Sequence, residues 1–241
     1  MQLFYAAQLP LIGQEFLLSE EESKHCVRVL RIKQGDAIHF TNGKGILAEA
    51  IITDAHPKRC KVGIVKLTVQ PKPYEGDIHL AVAPTKNAER MEWMVEKCTE
   101  MGIDRISFLL TERTERVHFN LERMEKKAIS AMKQSLQCRL PQINSPIRFT
   151  DFLQKVCEKG RFIAHADKEE PKHLFQLAQP ATDICLLIGP EGDFTPSELA
   201  AAKAAGFQVV RLGHTRLRTE TAAVLGCHAL HLLNEVKLSS Q

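Results

Sequence analysis

The chain lacks any apolar run of about eighteen residues, the length a membrane-spanning helix needs, so no span is expected. Its opening stretch, Met1–Pro10, has no basic leader and only a short apolar segment. That does not fit a signal peptide, and a cytoplasmic location is the expectation. Cysteine is present but unpaired in pattern: Cys26, Cys60, Cys98, Cys138, Cys157, Cys185 and Cys227 are scattered, odd in number and never in a C-x-x-C pair. This argues against a disulfide framework and a cysteine zinc site, and the thiols read as small buried hydrophobes with no metal implied. His228 and His231 lie three apart on one helix, but no nearby carboxylate or cysteine completes a ligand set. No G-x-G-x-x-G, no G-x-x-x-x-G-K-[ST] and no G-x-S-x-G occurs, so a dinucleotide fold, a P-loop nucleotidase and a serine-hydrolase elbow are all unsupported. Repeats and low-complexity segments are absent too. A strong charge of one sign is also missing: 32 Lys and Arg against 29 Asp and Glu leave a formal net charge of +3.

What is present suits a soluble globular protein. The 241 residues, 44% hydrophobic and 25% charged, are enough for one large domain or two smaller ones with a core that needs no staples. The small positive excess is uneven. Residues 1–73 carry ten Lys and Arg against seven Asp and Glu, a balance of +3, and the remainder balances at zero. This hints at a phosphate-facing surface in the first third, although an ordinary solvated face gives the same numbers.

Residues 1–70 read as β-rich. Apolar and β-branched stretches at 37–40, 46–52 and 62–69 are separated by turn signals at Gly35-Asp36, Asn42-Gly43 and His56-Pro57, which suggests a small barrel. Pro71-Lys72-Pro73 then reads as a linker. Beyond it the period changes. Short buried strands at 78–83, 106–110, 162–166, 184–188 and 209–212 alternate with helical patterns. One is carried by Met91, Met94, Val95, Cys98 and Met101 with Gly102 as its stop, another by Leu121 to Ser135, a shorter one by Phe152, Val156 and Cys157, and a last one by 219–233. Thr195-Pro196-Ser197-Glu198 is a strong helix start, with Thr195 as cap and Glu198 completing a capping box. The alternation implies an α/β domain with a mostly parallel sheet flanked by helices.

Two segments could carry chemistry. Leu186 to Glu198 runs from a buried strand through Gly189-Pro190-Glu191-Gly192 into the capped helix, and ligands of open α/β sheets sit beyond such strand ends. The glycines permit close backbone approach, but a tight strand-to-helix turn without a ligand explains them equally well. Leu212 to Ala222 (LGHTRLRTETA) leads from a strand end into the last helix and, with Arg211, brings Arg216 and Arg218 close to it. Such guanidinium groups suit a phosphate or a developing oxyanion, and an ordinary surface loop explains them slightly better.

Taken together, GPEGDF before a capped helix and LGHTRLRTETA some residues later resemble the bacterial small-subunit ribosomal RNA uridine-N3 methyltransferases, a family of the SPOUT superfamily. Further matches are His25 to Arg31 with Gly35-Asp36, Lys86 with Glu96 to Gly102, Thr111-Glu112-Arg113-Thr114, and Gln134-Ser135 with Arg139 and Pro141. The likeness runs from about Phe4 to the C-terminus. It departs at Asp193, where the family usually has Gly, at Lys133, where it has Glu, and at Thr215-Arg216-Leu217-Arg218, where an arginine is displaced by one residue.

The resemblance implies a PUA-like, RNA-binding β-barrel over residues 1–70 and a SPOUT methyltransferase domain over 74–241 with a C-terminal trefoil knot. The knot loops would be 162–167, 188–194 and 212–218, and they would enclose S-adenosylmethionine. It implies cofactor contacts at Ile188, Gly189, Gly192, Leu212, Gly213, Leu217 and Arg218. It further implies catalysis by Arg218 with Glu220 or Glu191, an RNA grip from Arg28, Arg31, Lys33, Arg113 and Arg116, a homodimer, and 16S ribosomal RNA in the small subunit as substrate. Rival readings are a related enzyme acting on transfer RNA or another base, a non-catalytic RNA-binding assembly factor, and a small-molecule α/β enzyme with a barrel appendage.

Overall fold

The computed structural model describes residues 2–115, 119–165 and 171–238. The chain divides into two units: residues up to Lys72 together with Met132–Leu140, and Pro73–Ala131 together with the chain from Pro141 on. Among the described residues no helix is long and apolar enough to cross a membrane.

The first unit contains β1 (Leu3–Tyr5), β2 (Glu15–Leu17), a short helix α1 (Glu20–Lys24), β3 (Ala37–Thr41), β4 (Ile46–Asp54) and β5 (Lys61–Val69). The strands form one sheet in the order β1-β3-β4-β5-β2, with β1 parallel to β3 and the other pairs antiparallel. The two ends of that order leave it a half-barrel. Alternate residues face inward: Ile38 and Phe40, then Ala48, Ala50 and Ile52, then Val62 and Ile64 share one core with Phe4, Cys26 and Cys60. The strands β1 and β2 have no signal in the sequence because three residues are too few for a period to show. After α1 the helix widens into a single π turn at His25–Val29 and stops at Arg31, which takes the left-handed conformation (φ 56°) as Ile32 N–H reaches back to the Cys26 carbonyl.

The segment Met132–Leu140 explains part of the family pattern physically. The Cys138 carbonyl accepts from Gly45 N–H at 2.7 Å and from the Thr41 hydroxyl at 3.1 Å, and Leu140 N–H donates to the Gly43 carbonyl at 2.9 Å. The Arg139 guanidinium lies so close over Gly45 that a Cβ there would meet it at 2.7 Å. Lys133, the departure from the usual Glu, pairs with Glu22 at 2.8 Å. This motif is therefore a clamp on the half-barrel.

The second unit continues with β6 (Ile78–Val82), α2 (Ala88–Met101), β7 (Arg105–Leu110), α3 (Leu121–Gln134), β8 (Gln142–Arg148) and α4 (Phe149–Lys155). It is completed by β9 (Gly160–Ala164), α5 (Leu174–Leu177), β10 (Ile184–Ile188), α6 (Pro196–Ala204), β11 (Gln208–Val210) and α7 (Thr219–Leu238). Its six strands are all parallel, in the order β11-β9-β10-β6-β7-β8. Strands β6 and β10 are buried at every residue, which is why they read as unbroken apolar runs. Gly102 ends α2 in the left-handed conformation (φ 91°). Strand β8 was not anticipated; its sequence is polar and contains Pro146, which an edge strand tolerates. Helices α2 and α7 pack against each other, and α7 lies on β6 and β10.

Near the amino ends of the strands sits a buried polar network. His79 Nδ1 lies 2.6 Å from Glu158, and His79 Nε2 lies 2.8 Å from the Ser107 hydroxyl, which also accepts from Asn144. Burial by itself would raise the Glu158 carboxyl. The His79 hydrogen bond, backbone donors and the charge of His79 overcome that and bring it down to about 2.

Candidate functional site

The carboxyl ends of β9, β10 and β11 open into a cleft of about 830 Å³. Its walls come from three strand-tip segments: Ala164-His165, the turn from Ile188 to Asp193, and the loop from Arg211 to Thr219. The cofactor-binding residues expected from the sequence, Ile188, Gly189, Gly192, Leu212, Gly213, Leu217 and Arg218, all line it.

The first wall is built by a tight turn. Asp193 N–H donates to the Pro190 carbonyl at 2.9 Å, which closes the turn, and Asp193 itself is left-handed (φ 60°). A glycine suits that conformation; an aspartate tolerates it because its short side chain bonds locally, and here Oδ1 accepts from Phe194 N–H at 2.7 Å. Oδ2 lies 2.7 Å from His165 Nδ1, at ion-pair distance but out of line for a hydrogen bond. Asp193 thus couples the β10 tip to the β9 tip, a role with no counterpart in glycine. Gly189 suits the close packing, since a Cβ would meet Asp193 Oδ1 and the Phe194 ring at 3.1 Å and those side chains would have to give way by a few tenths of an ångström.

The turn is braced from behind. Thr195 and Glu198 form the anticipated capping box of α6. The buried Glu198 carboxylate also accepts from Glu112 N–H at 2.8 Å, which ties in the loop after β7. In that loop Thr111 N–H donates to the Thr114 hydroxyl at 2.9 Å, and Arg113 donates to the Gly192 carbonyl. A Cβ on Gly192 would sit 3.2 Å from Arg113 Cδ, so the glycine makes room for the arginine laid across it. The Thr111–Thr114 motif is in effect the support for one arginine.

The second wall begins after β11. His173 Nε2 lies 3.2 Å from the Leu212 carbonyl, and the buried Thr219 hydroxyl donates to the Gly189 carbonyl at 3.0 Å, joining the two walls. At Gly213 a Cβ would meet nothing within 4 Å, so a side chain there would enter the open cleft. Arg218 stands at the start of α7, its carbonyl accepting from Ala222 N–H at 2.8 Å, while its exposed side chain faces the cleft without a hydrogen-bond or ion-pair partner among the described residues. Arg216 is also exposed on the cleft rim, and Arg211 Nη1 lies 3.3 Å from His214.

The two candidate bases are placed differently. Glu191 is half exposed and lines the cleft. Glu220 is buried and faces Arg90 on α2, with 3.6 Å between the charged groups, rather than Arg218; its Oε2 has no hydrogen-bond partner among the described residues. Arg90 also lies 3.6 Å from Glu191 and so bridges both carboxylates. Nothing in the spacing pointed to Arg90, because the link joins α2 to the distant β10 turn and to the first turn of α7. On the half-barrel, Arg28, Arg31 and Lys33 are all exposed, and Lys33 N–H is held by the Asp36 carboxylate at 2.7 Å. Arg113 lies at the Gly192 turn as described, and Arg116 falls outside the described residues.

One ligand-capable group was not foreseen: His79, Glu158 and Cys185 bring donor atoms within 4.8 Å of one another. The hydrogen bonds among His79, Glu158 and Ser107 account for its polar atoms without an ion, and burial pushes the Cys185 thiol well up, away from the thiolate a metal prefers.

Residues 71–231 match the family model of an RNA methyltransferase domain, and residues 18–65 match that of an RNA methyltransferase PUA domain. The ribosomal RNA small subunit methyltransferase E of Mycobacterium bovis is 30% identical over 243 residues, covering 96% of this chain and 91% of the relative. Among solved structures, a probable rRNA-methyltransferase from Porphyromonas gingivalis is 39% identical with a TM-score of 0.92, covering 98% of this chain and 100% of that one. The ribosomal RNA small subunit methyltransferase E of Neisseria gonorrhoeae, solved bound to S-adenosyl methionine, is 28% identical with a TM-score of 0.88, covering 97% of this chain and 98% of that one. Matched along nearly its whole length in sequence and fold, the chain belongs to the ribosomal RNA small subunit methyltransferase E family.

Proposed function

We propose that this protein methylates N3 of a uridine in 16S ribosomal RNA of the small subunit, with S-adenosylmethionine as methyl donor. The carrying observation is the cleft at the tips of β9, β10 and β11, whose size suits a folded nucleoside and whose rim presents Arg218 without a partner among the described residues. Ile188, Leu212 and Leu217 offer apolar surface for an adenine ring, Gly189 and Gly213 offer backbone, and the side-chain-free space at Gly213 leaves room for the ligand. The donor supplies a methyl group on a cationic sulfur, which leaves as a neutral thioether when the nitrogen–carbon bond forms.

The acceptor chemistry assigns the rest. N3 of uridine carries a weakly acidic imide proton, because the anion spreads onto both neighbouring carbonyls. Arg218 holds that developing charge through its fixed fork of donors. Glu191, exposed on the cleft wall, takes the proton; the buried Glu220 serves through Arg90 to hold Glu191 in place. Because N3 lies on the pairing edge, the uridine must be unpaired or flipped out.

In this reading residues 1–70 are a PUA-like RNA-binding unit, gripping phosphates through Arg28, Arg31 and Lys33, with Arg113 and Arg116 nearer the chemistry. Residues 74–241 are the methyltransferase domain with its threaded C-terminal loops. The protein is cytoplasmic, works on the small subunit and is a homodimer; the exposed apolar residues Leu225, Leu232 and Val236 along α7 support a self-association face. Nucleoside mass spectrometry of ribosomal RNA from cells lacking the protein tests this directly. Loss of one N3-methyluridine is expected, and an unchanged uridine modification profile contradicts it.

A further inference from the structure

One histidine on the wall of the cleft has no role in the reaction as proposed. His165 follows the last residue of β9, and Ala164 before it pairs in register with Ile188 of β10 on one side and Val210 of β11 on the other. The His165 N–H donates to the Val210 carbonyl at 3.1 Å, which fixes the residue between the three strand tips. Ile188 on one side, and Leu212 two residues beyond Val210 on the other, are the apolar surface assigned above to adenine. His165 therefore lies on the nucleoside half of the cleft.

Its ring is oriented. Nδ1 is buried and lies 2.7 Å from Asp193 Oδ2, without the alignment of a hydrogen bond. A lone pair on Nδ1 would face a carboxylate oxygen at that distance and be repelled, so the proton belongs on Nδ1. The neutral ring then carries its lone pair on Nε2. That nitrogen has no hydrogen-bond partner among the described residues, and the open part of the ring lines the cleft. Asp193 is itself anchored: Oδ1 accepts from Phe194 N–H at 2.7 Å, and its own N–H donates to the Pro190 carbonyl at 2.9 Å. The turn thus holds a carboxylate against the imidazole from a fixed position.

We infer that His165 is a further binding residue of this cleft, accepting a hydrogen bond at Nε2 from the bound nucleoside, and that Asp193 is its positioning residue, which selects the tautomer. A nucleoside offers such donors in its ribose hydroxyls and its adenine amino group. With the proton on the other nitrogen, Nε2 would meet an amino group donor to donor. The carboxylate that stands here in place of glycine converts a ring that could present either nitrogen into a fixed acceptor. The inference rests on the reading of this cleft as the S-adenosylmethionine site and goes beyond it by giving His165 and Asp193 their roles. It does not depend on which base is methylated.

The test joins titration calorimetry of S-adenosylmethionine to long-range nitrogen–proton correlation spectra of the imidazole rings at mildly alkaline pH. The His165 signal is the one lost in His165→Gln. The wild type is expected to show the Nδ1–H tautomer. Asp193→Asn keeps an oxygen for Phe194 N–H and suits the left-handed backbone, but it turns an amide N–H toward Nδ1. The tautomer should then switch to Nε2–H, and the Kd should rise about tenfold. His165→Leu should also raise the Kd about tenfold, and His165→Gln, which places an amide oxygen where Nε2 stood, should recover most of that loss. With 5′-methylthioadenosine, which lacks the amino-acid end, the ratios should be the same. The inference is overturned by an Nε2–H tautomer in the wild type, by affinity indifferent to Asp193→Asn and His165→Leu, by glutamine binding no better than leucine, or by ratios that vanish with 5′-methylthioadenosine. Failure of the parent reading shows differently: Gly213→Leu, which fills this cleft, would then leave S-adenosylmethionine affinity unaltered.

Discussion

Thr219→Val probes a hydrogen bond that joins the two walls of the cleft. The Thr219 hydroxyl donates to the Gly189 carbonyl at 3.0 Å, and both residues are buried. Valine keeps the shape and removes the donor, leaving a buried carbonyl unsatisfied at a cost of about 1–3 kcal/mol. For a domain of this size each kcal/mol lowers the melting temperature by about 2–4 °C, so a fall of roughly 2–12 °C is expected by differential scanning fluorimetry. The carbonyl belongs to the turn that meets the ligand, so part of the loss should reach binding. By the tenfold per ~1.4 kcal/mol rule, the Kd for S-adenosylmethionine should rise about three- to thirtyfold by calorimetry. Thr219→Ser keeps the hydroxyl and gives up only a methyl group, so its affinity should stay near that of the wild type. A valine variant with unaltered affinity, or a serine variant impaired as severely as the valine one, refutes the idea that this bond sets the cleft.

Arg218→Ala should retain cofactor binding by calorimetry yet lower single-turnover methyl transfer by about 10²–10³, the usual loss on removing one donor to a developing anion. Gly213→Leu should leave the circular dichroism spectrum and melting curve intact while weakening S-adenosylmethionine at least about tenfold, since the new side chain enters open cleft rather than protein. Arg90→Met removes the cation between Glu191 and Glu220; a buried carboxylate left alone should lower the melting temperature, and methyl transfer should slow while cofactor affinity holds. Glu158→Gln addresses acid stability. Because the native carboxyl is held at about 2, against an ordinary value of 4.5, its contribution is present above the ordinary range and is lost as pH falls toward 2. The wild-type advantage over Glu158→Gln in urea unfolding, of the order of 2–3 kcal/mol near neutrality, should therefore shrink across that acid window.

Much of the second unit was legible because its signals are local. Strands β6 and β10 are buried on both faces and read as apolar runs, α2 carries its own glycine stop, and α6 carries a complete capping box. The two glycine-bearing loops were legible as strand-tip segments, and family motifs added their joint use. What was hidden is long-range. Arg90 meets carboxylates about 100 and 130 residues away in sequence, a separation no period encodes. The Met132–Leu140 clamp was legible only as a family motif following a helix, since its partners at Thr41 to Gly45 lie about 90 residues away and meet it mostly through its backbone carbonyl and amide groups. Asp193 appeared as a mere departure from glycine; its bond to Phe194 N–H and the neighbouring His165 give its carboxylate a purpose.

The most direct test of the central claim is a crystal structure of this protein soaked with S-adenosylmethionine. The ligand is expected between the turn at Gly189–Asp193 and the loop at Arg211–Arg218, with its methyl group toward Glu191. Ligand density elsewhere, with that cleft empty, contradicts the account.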